Sequence, residues 1–277
     1  MKSNQPAPNV VLFDTARSNE NDAVSTTSYV RARSFLVAMT HAFDACSVYE
    51  DCDEEVMMLL PDTGVDVRWD GGVISATSRS IVVLPRGRYE IDIPRAGRVI
   101  RLHASIPEKL QHLGLDTDAD GPALKSNVAG FFRKNGGLSP SVYPLDDYPN
   151  SPGMPRAKLF QSAVISINWV EYQGPRDRTQ LSPHLHDDIE QGSLALEGDF
   201  IHHLRTPWVK DANAWRDDMH EQCSAGSIAV IPPGIVHTTE GIGDVKHVLI
   251  DIFSPPRRDF IAKNQILNSS DYLDLKS

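Results

Sequence analysis

A chain of 277 residues exceeds one average domain and is comfortable for two of roughly 100–150 residues each. A formal net charge of −10 with no basic stripe argues against nucleic-acid and anionic-membrane partners, and three scattered cysteines, Cys46, Cys52 and Cys223, are too few for a disulfide framework or paired zinc knuckles. An apolar fraction of 40% with 19 Pro and 18 Gly points to a globular, turn-rich, all-β protein with reduced thiols, expected in the cytoplasm.

Residues 1–28, with Pro6, Pro8 and the polar run Ser18–Asp22, show no periodicity and read as a mobile arm or a strand that docks elsewhere. The apolar run Val10–Phe13 is far shorter than a signal-peptide core, and no stretch approaches the ~20 apolar residues of a membrane span. From 29 to 105, short β-branched runs alternate with turn signals: Phe35–Met39, Val56–Leu60, Val65–Trp69 before Asp70-Gly71-Gly72, Ile81–Leu84 and Val99–Leu102. That spacing suits a sandwich or barrel. Residues 106–157 read as a linker rich in proline (Pro140, Pro144, Pro149, Pro152, Pro155), with a short helix expected near Pro122–Phe132. A second strand-rich block spans 158–260, with its best strands at Val164–Val170, Leu194–Glu197, Ile228–Ile231 and Val248–Phe253, and 261–277 form a tail.

The chemistry-bearing residues lie in this second block. His184-Leu185-His186 precedes Asp187-Asp188-Ile189-Glu190-Gln191 and Gly198, and Gly226 leads through Pro232 and Gly234 to His237. Strand residues two apart project to one face, so His184 and His186 present two imidazoles to one pocket. The turn at Pro232 and Gly234 starts a strand that can carry His237 to the same point. Three imidazoles and one oxygen ligand suit one Fe, Mn, Ni, Co or Zn ion with positions left open for water or substrate.

These residues resemble the two motifs of the cupin superfamily, G-x5-HxH-x3,4-E-x6-G and G-x5-PxGxxH-x3-N, with Arg178 in place of the leading Gly and Gly241 in place of the final Asn. The resemblance implies a bicupin, two double-stranded β-helix (jelly-roll) barrels, with a metal ion at His184, His186 and His237. For the fourth ligand, a count of three after His186 selects Glu190. A count of four selects Gln191, restores the spacing to Gly198 and matches an EQ-x5-EG-[ED]-F subgroup; Gln191 is favoured and Glu190 is the alternative. Alternation with Glu190 inward would also turn Leu194 and Leu196 inward, and Gly192 could supply a bulge that permits Gln191 instead. The landmarks recur degraded in the first block, where the ligand positions fall on Glu50, Cys52, Met57 and Glu90, so this repeat is expected to have lost its metal.

Gly198 to Pro232 spans 34 positions against 21 for Gly64 to Pro85, and the extra segment holds Arg205, Trp208, Lys210, Asp211, Trp215 and Arg216. Arg205, Trp208, Trp215 and His202 are therefore the candidate substrate-binding residues, and His203 and His220 are expected to be surface or satisfied histidines and not extra ligands. The expected function is a metal-dependent enzyme acting on a small anionic molecule (a sugar acid, keto acid or phenolic) by isomerisation, elimination or ring opening. An Fe(II) dioxygenase or a non-catalytic binding cupin are the alternatives. Partners are a small-molecule substrate and, at most, a second copy of the chain.

Overall fold

The computed structural model describes residues 7–15, 19–114, 116, 131–134 and 137–274. The short β-branched runs are strands: Val56–Leu60, Val65–Trp69 and Ser227–Ile231 each end at a turn residue or a bend, as runs too short for a stable helix do. Arg258–Ala262 is the one α-helix among the described residues, and no helix is long and apolar enough to cross a membrane.

Two large antiparallel sheets form the centre. One holds seven strands, in the order Ser141–Pro144, Ser80–Leu84, Val56–Leu60, Gly97–His103, Leu36–Ala42, Ser25–Arg31 and Asn19–Asn21. The other holds six, in the order Asn9–Leu12, Ser227–Ile231, Glu190–Glu197, Lys246–Ser254, Ser166–Gln173 and Ala157–Gln161. A four-stranded sheet (Cys46–Cys52, Gly87–Ile93, Val65–Trp69, Gly72–Ala76) covers the first, and a three-stranded sheet (Met219–Ser224, Asp199–Arg205, Val236–Ile242) covers the second.

Side chains alternate across a strand, so each large sheet fills two cores. Val56, Met58 and Leu60 pack with Val67 and Ile91 inside the first unit. Their neighbours Met57 and Leu59 join Ile81, Leu194, Ile228 and Ile250 in a core shared by the two large sheets. Burial on both faces explains why Val56–Leu60 is a continuous apolar run and not an alternating one.

The connecting segments are largely structured. Of the two readings of the N-terminal residues, the docked strand applies to Asn9–Leu12, which pairs with Ser227–Ile231 at the edge of the second unit's sheet. In the linker, Ser141–Pro144 extends the first unit's sheet, residues 122–130 of the expected helix lie outside the described residues, and Phe131–Arg133 is a strand. The tail is docked, since Tyr272–Asp274 pairs with Phe131–Arg133 and the Asn268 amide exchanges hydrogen bonds with the Gln161 backbone.

Candidate metal centre

His184 and His186 lie on an extended segment that bridges to the Val236–Ile242 strand. The His184 N–H donates to the His237 carbonyl at 3.0 Å, the His237 N–H returns a bond of 2.8 Å, and the Gly234 N–H donates to the His186 carbonyl at 2.7 Å. Gly234 has φ +82°, a conformation that its missing side chain permits at the turn leading into the strand. The result brings one ligand nitrogen from each of His184, His186 and His237 within 4.8 Å of one another, a cluster that can hold a metal ion.

Hydrogen bonds fix which nitrogens face inward. His184 Nδ1 lies 2.9 Å from the Ser182 carbonyl and His237 Nδ1 lies 2.9 Å from the Ile235 carbonyl. A carbonyl only accepts, so both Nδ1 atoms carry the proton and both Nε2 atoms offer lone pairs. Burial, reinforced by Arg257 and the other two histidines, lowers the His186 pKa to about 3, and burial lowers that of His237 to about 4. The His186 and His237 rings are thus neutral, the form in which imidazole binds metal.

Gln191 points into the same cluster. Its Oε1 lies 3.0 Å from His186 Nε2 and 3.1 Å from His237 Nε2, while its Nε2 donates to Ser193 Oγ at 2.9 Å and Asp251 Oδ1 at 3.0 Å. Ser193 Oγ also donates to Asp251 at 2.7 Å. The amide is therefore oriented with its oxygen toward the imidazoles. His237 Nε2 and Gln191 Oε1 are then two acceptors facing each other, an unfavourable contact that a cation between them makes favourable. By the chemistry of its donors, the site fits a divalent first-row metal.

Glu190 faces the other way. It is fully buried, and its carboxylate accepts from the Ser34 N–H at 2.9 Å and the Ser34 hydroxyl at 3.0 Å, on the first unit. Burial raises its pKa against these donors. No bulge lies at Gly192. The register shift of this strand falls between Ala195 and Glu197, and a Cβ on Gly192 would come within 2.8 Å of the Phe35 ring.

Of the candidate substrate-binding residues, Arg205, Trp208 and Trp215 do not gather at the histidines, whereas His202 shares the inward face of its strand with Leu204. Leu204 pairs with His237, so its neighbour Arg205 projects to the opposite face of that sheet, where both oxygens of Asp218 hold it. Trp208 stacks on Trp215 at 4.6 Å, and Trp208 is 74% exposed. His202 is fully buried inside the unit, with Nδ1 3.0 Å from the Thr239 hydroxyl and a pKa lowered by burial to about 4. His203 lies 2.8 Å from His220 and 3.0 Å from Glu240.

No family model matches the chain, and no curated protein is similar to it in sequence. Solved structures of Bacillus subtilis oxalate decarboxylase are similar in fold. A single-residue variant has a TM-score of 0.63 at 12% identity, covering 90% of this chain and 78% of that one. A study of that enzyme's Mn(II) centres gives 0.61 at 12% over 90% and 78%, and its structure at pH 4.6 gives 0.61 at 12% over 89% and 76%. The fold is that of the cupins.

Arg257, absent from the candidates drawn from the sequence, also faces the cluster. Its Nε and Nη2 bond both oxygens of Asp259 at 2.7 and 2.8 Å, its guanidinium lies over the rings of Phe260 and Phe253, and its Nη1 is 3.1 Å from His186 Nε2. Glu190 pairs with Ser254, so the chain beyond Ser254 leaves the sheet at the end where the Glu190–Glu197 strand begins.

The first unit places Glu50 inside, but Glu90 points outward, accepting from the Tyr49 hydroxyl at 2.8 Å, and Met57 belongs to the core between the sheets. Cys52 is buried in the unit's own core. Glu50 forms an ion pair with Arg101, each side chain 3% exposed, and Arg101 Nη2 donates to the Thr40 hydroxyl at 2.8 Å. Burial opposes ionisation of Glu50, but Arg101, with His103 and Lys109, outweighs it and holds the carboxyl below its ordinary value.

Proposed function

We propose that the chain is a divalent-metal-dependent enzyme of the two-repeat cupin kind. His184, His186, His237 and Gln191 hold the ion in the second unit, and the first unit carries no equivalent site. One observation carries the reading: His237 Nε2 and Gln191 Oε1, both oriented as acceptors, face each other at 3.1 Å. All four donors are neutral, so the bound ion keeps its full 2+ charge and serves as a Lewis acid toward an anionic substrate.

The chain's own residues hold the imidazoles neutral, fix their tautomers through backbone carbonyls and keep the amide oxygen turned inward. This supports isomerisation, elimination or ring opening on a small anionic organic molecule. A glutamate as fourth ligand would partly neutralise the ion and suit a dioxygenase, but the one candidate, Glu190, is engaged by Ser34. The Mn(II) centres described for the similarly folded oxalate decarboxylase support Mn(II) as one of the ions this site takes.

The test is metal content. Purified protein is expected to retain about one equivalent of a divalent first-row metal, and the triple variant His184→Ala, His186→Ala, His237→Ala none, with its far-ultraviolet circular dichroism unchanged because apolar strands hold the barrel. Stoichiometric metal in the triple variant refutes the assignment.

A further inference from the structure

Arg257 is built into the mouth of the candidate centre with more support than a surface arginine receives. Its backbone N–H is held by the Ser166 hydroxyl at 3.0 Å, and its side chain is only 14% exposed. Phe260 lies 4.4 Å beneath the guanidinium and Phe253 lies 5.1 Å away. Asp259 takes Nε and Nη2, which fixes the plane of the fork. The nitrogen that remains, Nη1, is turned to His186, 3.1 Å from Nε2 and 3.2 Å from Nδ1.

A cation aimed at a metal-binding imidazole weakens metal affinity through like-charge repulsion, which the Asp259 pair offsets only in part. With the ion in place, the His186 lone pair is committed and Nη1 needs another acceptor. With Nε and Nη2 taken by Asp259, the remaining charged N–H suits an oxygen of a ligand that reaches the ion, and a carboxylate can give one oxygen to Nη1 and the other to the ion where a phenol has a single oxygen.

We infer that Arg257 is the substrate-recognition residue of this centre and that the substrate is a small carboxylate, held by Nη1 while it reaches the ion. The inference rests on the metal-centre reading above and narrows it, setting the sugar acids and keto acids apart from the phenolics. Arg205, which the sequence singled out for this role, is already engaged by Asp218 on the opposite face of its sheet.

The test uses the full chain loaded with Co(II), acetate as the carboxylate probe and phenol as the neutral one, with binding followed by the visible Co(II) spectrum. Arg257→Met keeps an apolar stem against Phe253 and Phe260 and is expected to hold Co(II) at wild-type stoichiometry while binding acetate about tenfold more weakly. Phenol binding stays the same in both proteins. Should the methionine variant fail to fold, Arg257→Lys carries the test, since it keeps the charge but loses the oriented fork, with an expected loss of about threefold or more.

Acetate affinity within twofold of wild type in a fully loaded variant overturns the inference and leaves the metal centre standing. Loss of Co(II) from both variants overturns it as well, by assigning the arginine to the support of His186. A wild-type protein that takes up no Co(II) overturns the metal-centre reading and this inference together.

Discussion

Replacement of Asp251 by Ala isolates what orients Gln191. In the present arrangement the Gln191 amide nitrogen is shared between Ser193 Oγ and Asp251 Oδ1, and Ser193 is itself held by Asp251. Removing the carboxylate takes away one charge-assisted bond and the anchor of the other, so the amide is free to rotate. Rotated, it donates to His237 Nε2, which relieves the acceptor–acceptor contact without any metal and stabilises the empty site. A hydrogen bond to a charged group contributes about 1.5–3 kcal/mol, and loss of a partner behind a ligand typically costs 10- to 100-fold in metal affinity; the two agree, since each factor of ten is about 1.4 kcal/mol. The expected result is a 10- to 100-fold weaker Co(II) or Zn(II) dissociation constant in Asp251→Ala by chelator competition, with a smaller loss in Asp251→Asn, which keeps an acceptor for the amide. An affinity within about threefold of wild type in a folded Asp251→Ala protein refutes the orienting role.

Adjacent positions of one strand should separate cleanly. Gln191→Ala is expected to lose metal, whereas Glu190→Ala keeps it and lowers stability by about 1–3 kcal/mol through the unpaired Ser34 donors, as read by urea unfolding and elemental analysis; metal loss confined to the Glu190 variant reverses the assignment. In the first unit, Glu50→Ala strands a guanidinium that is 3% exposed, and a loss of about 3–5 kcal/mol is expected, largely restored when Arg101 is also changed to Met; a loss under 1 kcal/mol in the single variant counts against the buried pair. Acid should destabilise the protein through His103 and His202, whose folded pKa values of about 4 are depressed chiefly by burial. The unfolded chain binds their protons first, so their contribution is complete above pH ~6.5 and lost as pH falls toward ~4. The urea midpoint should drop across that window and drop less in His103→Gln; equal slopes in the two proteins remove His103 from the account.

The sequence made the strands and the histidines legible because both depend on local rules. Val56–Leu60 and Val65–Trp69 were readable to the residue from β-branched content and flanking turns, and the HxH and PxGxxH spacings located the cluster. The choice between Glu190 and Gln191 was harder for a physical reason. Simple alternation supposes one apolar face along Glu190–Glu197, which would turn Leu194 and Leu196 into the barrel. Both faces are in fact buried: Leu194 and Leu196 enter the core between the large sheets, and Gln191, Ser193 and Ala195 line the barrel. Arg257 had no periodic signature, since its role comes from tertiary pairing beyond a strand end. In the loop with Trp208 and Trp215, composition cannot tell aromatic rings that stack on each other from rings that wait for a ligand.

That double burial gives the first unit a task of its own. It touches the ligand-bearing strand at three successive heights: Ser34 on Glu190, Phe35 against Gly192, and Arg98 Nη1 donating to the Leu196 carbonyl at 2.7 Å. Gln191 sits between the first two of these anchors, and its side chain is the one donor of the candidate set that comes from this strand. An unsupported strand could twist or slip, and a shift of one residue would exchange Gln191 for Glu190 at the cluster. With Glu190 held by Ser34 and Gly192 lodged under the Phe35 ring, the register is fixed from outside the barrel, and the amide reaches the imidazoles as a consequence. The first unit can thus be without metal ligands and still determine which side chain completes the centre in the second.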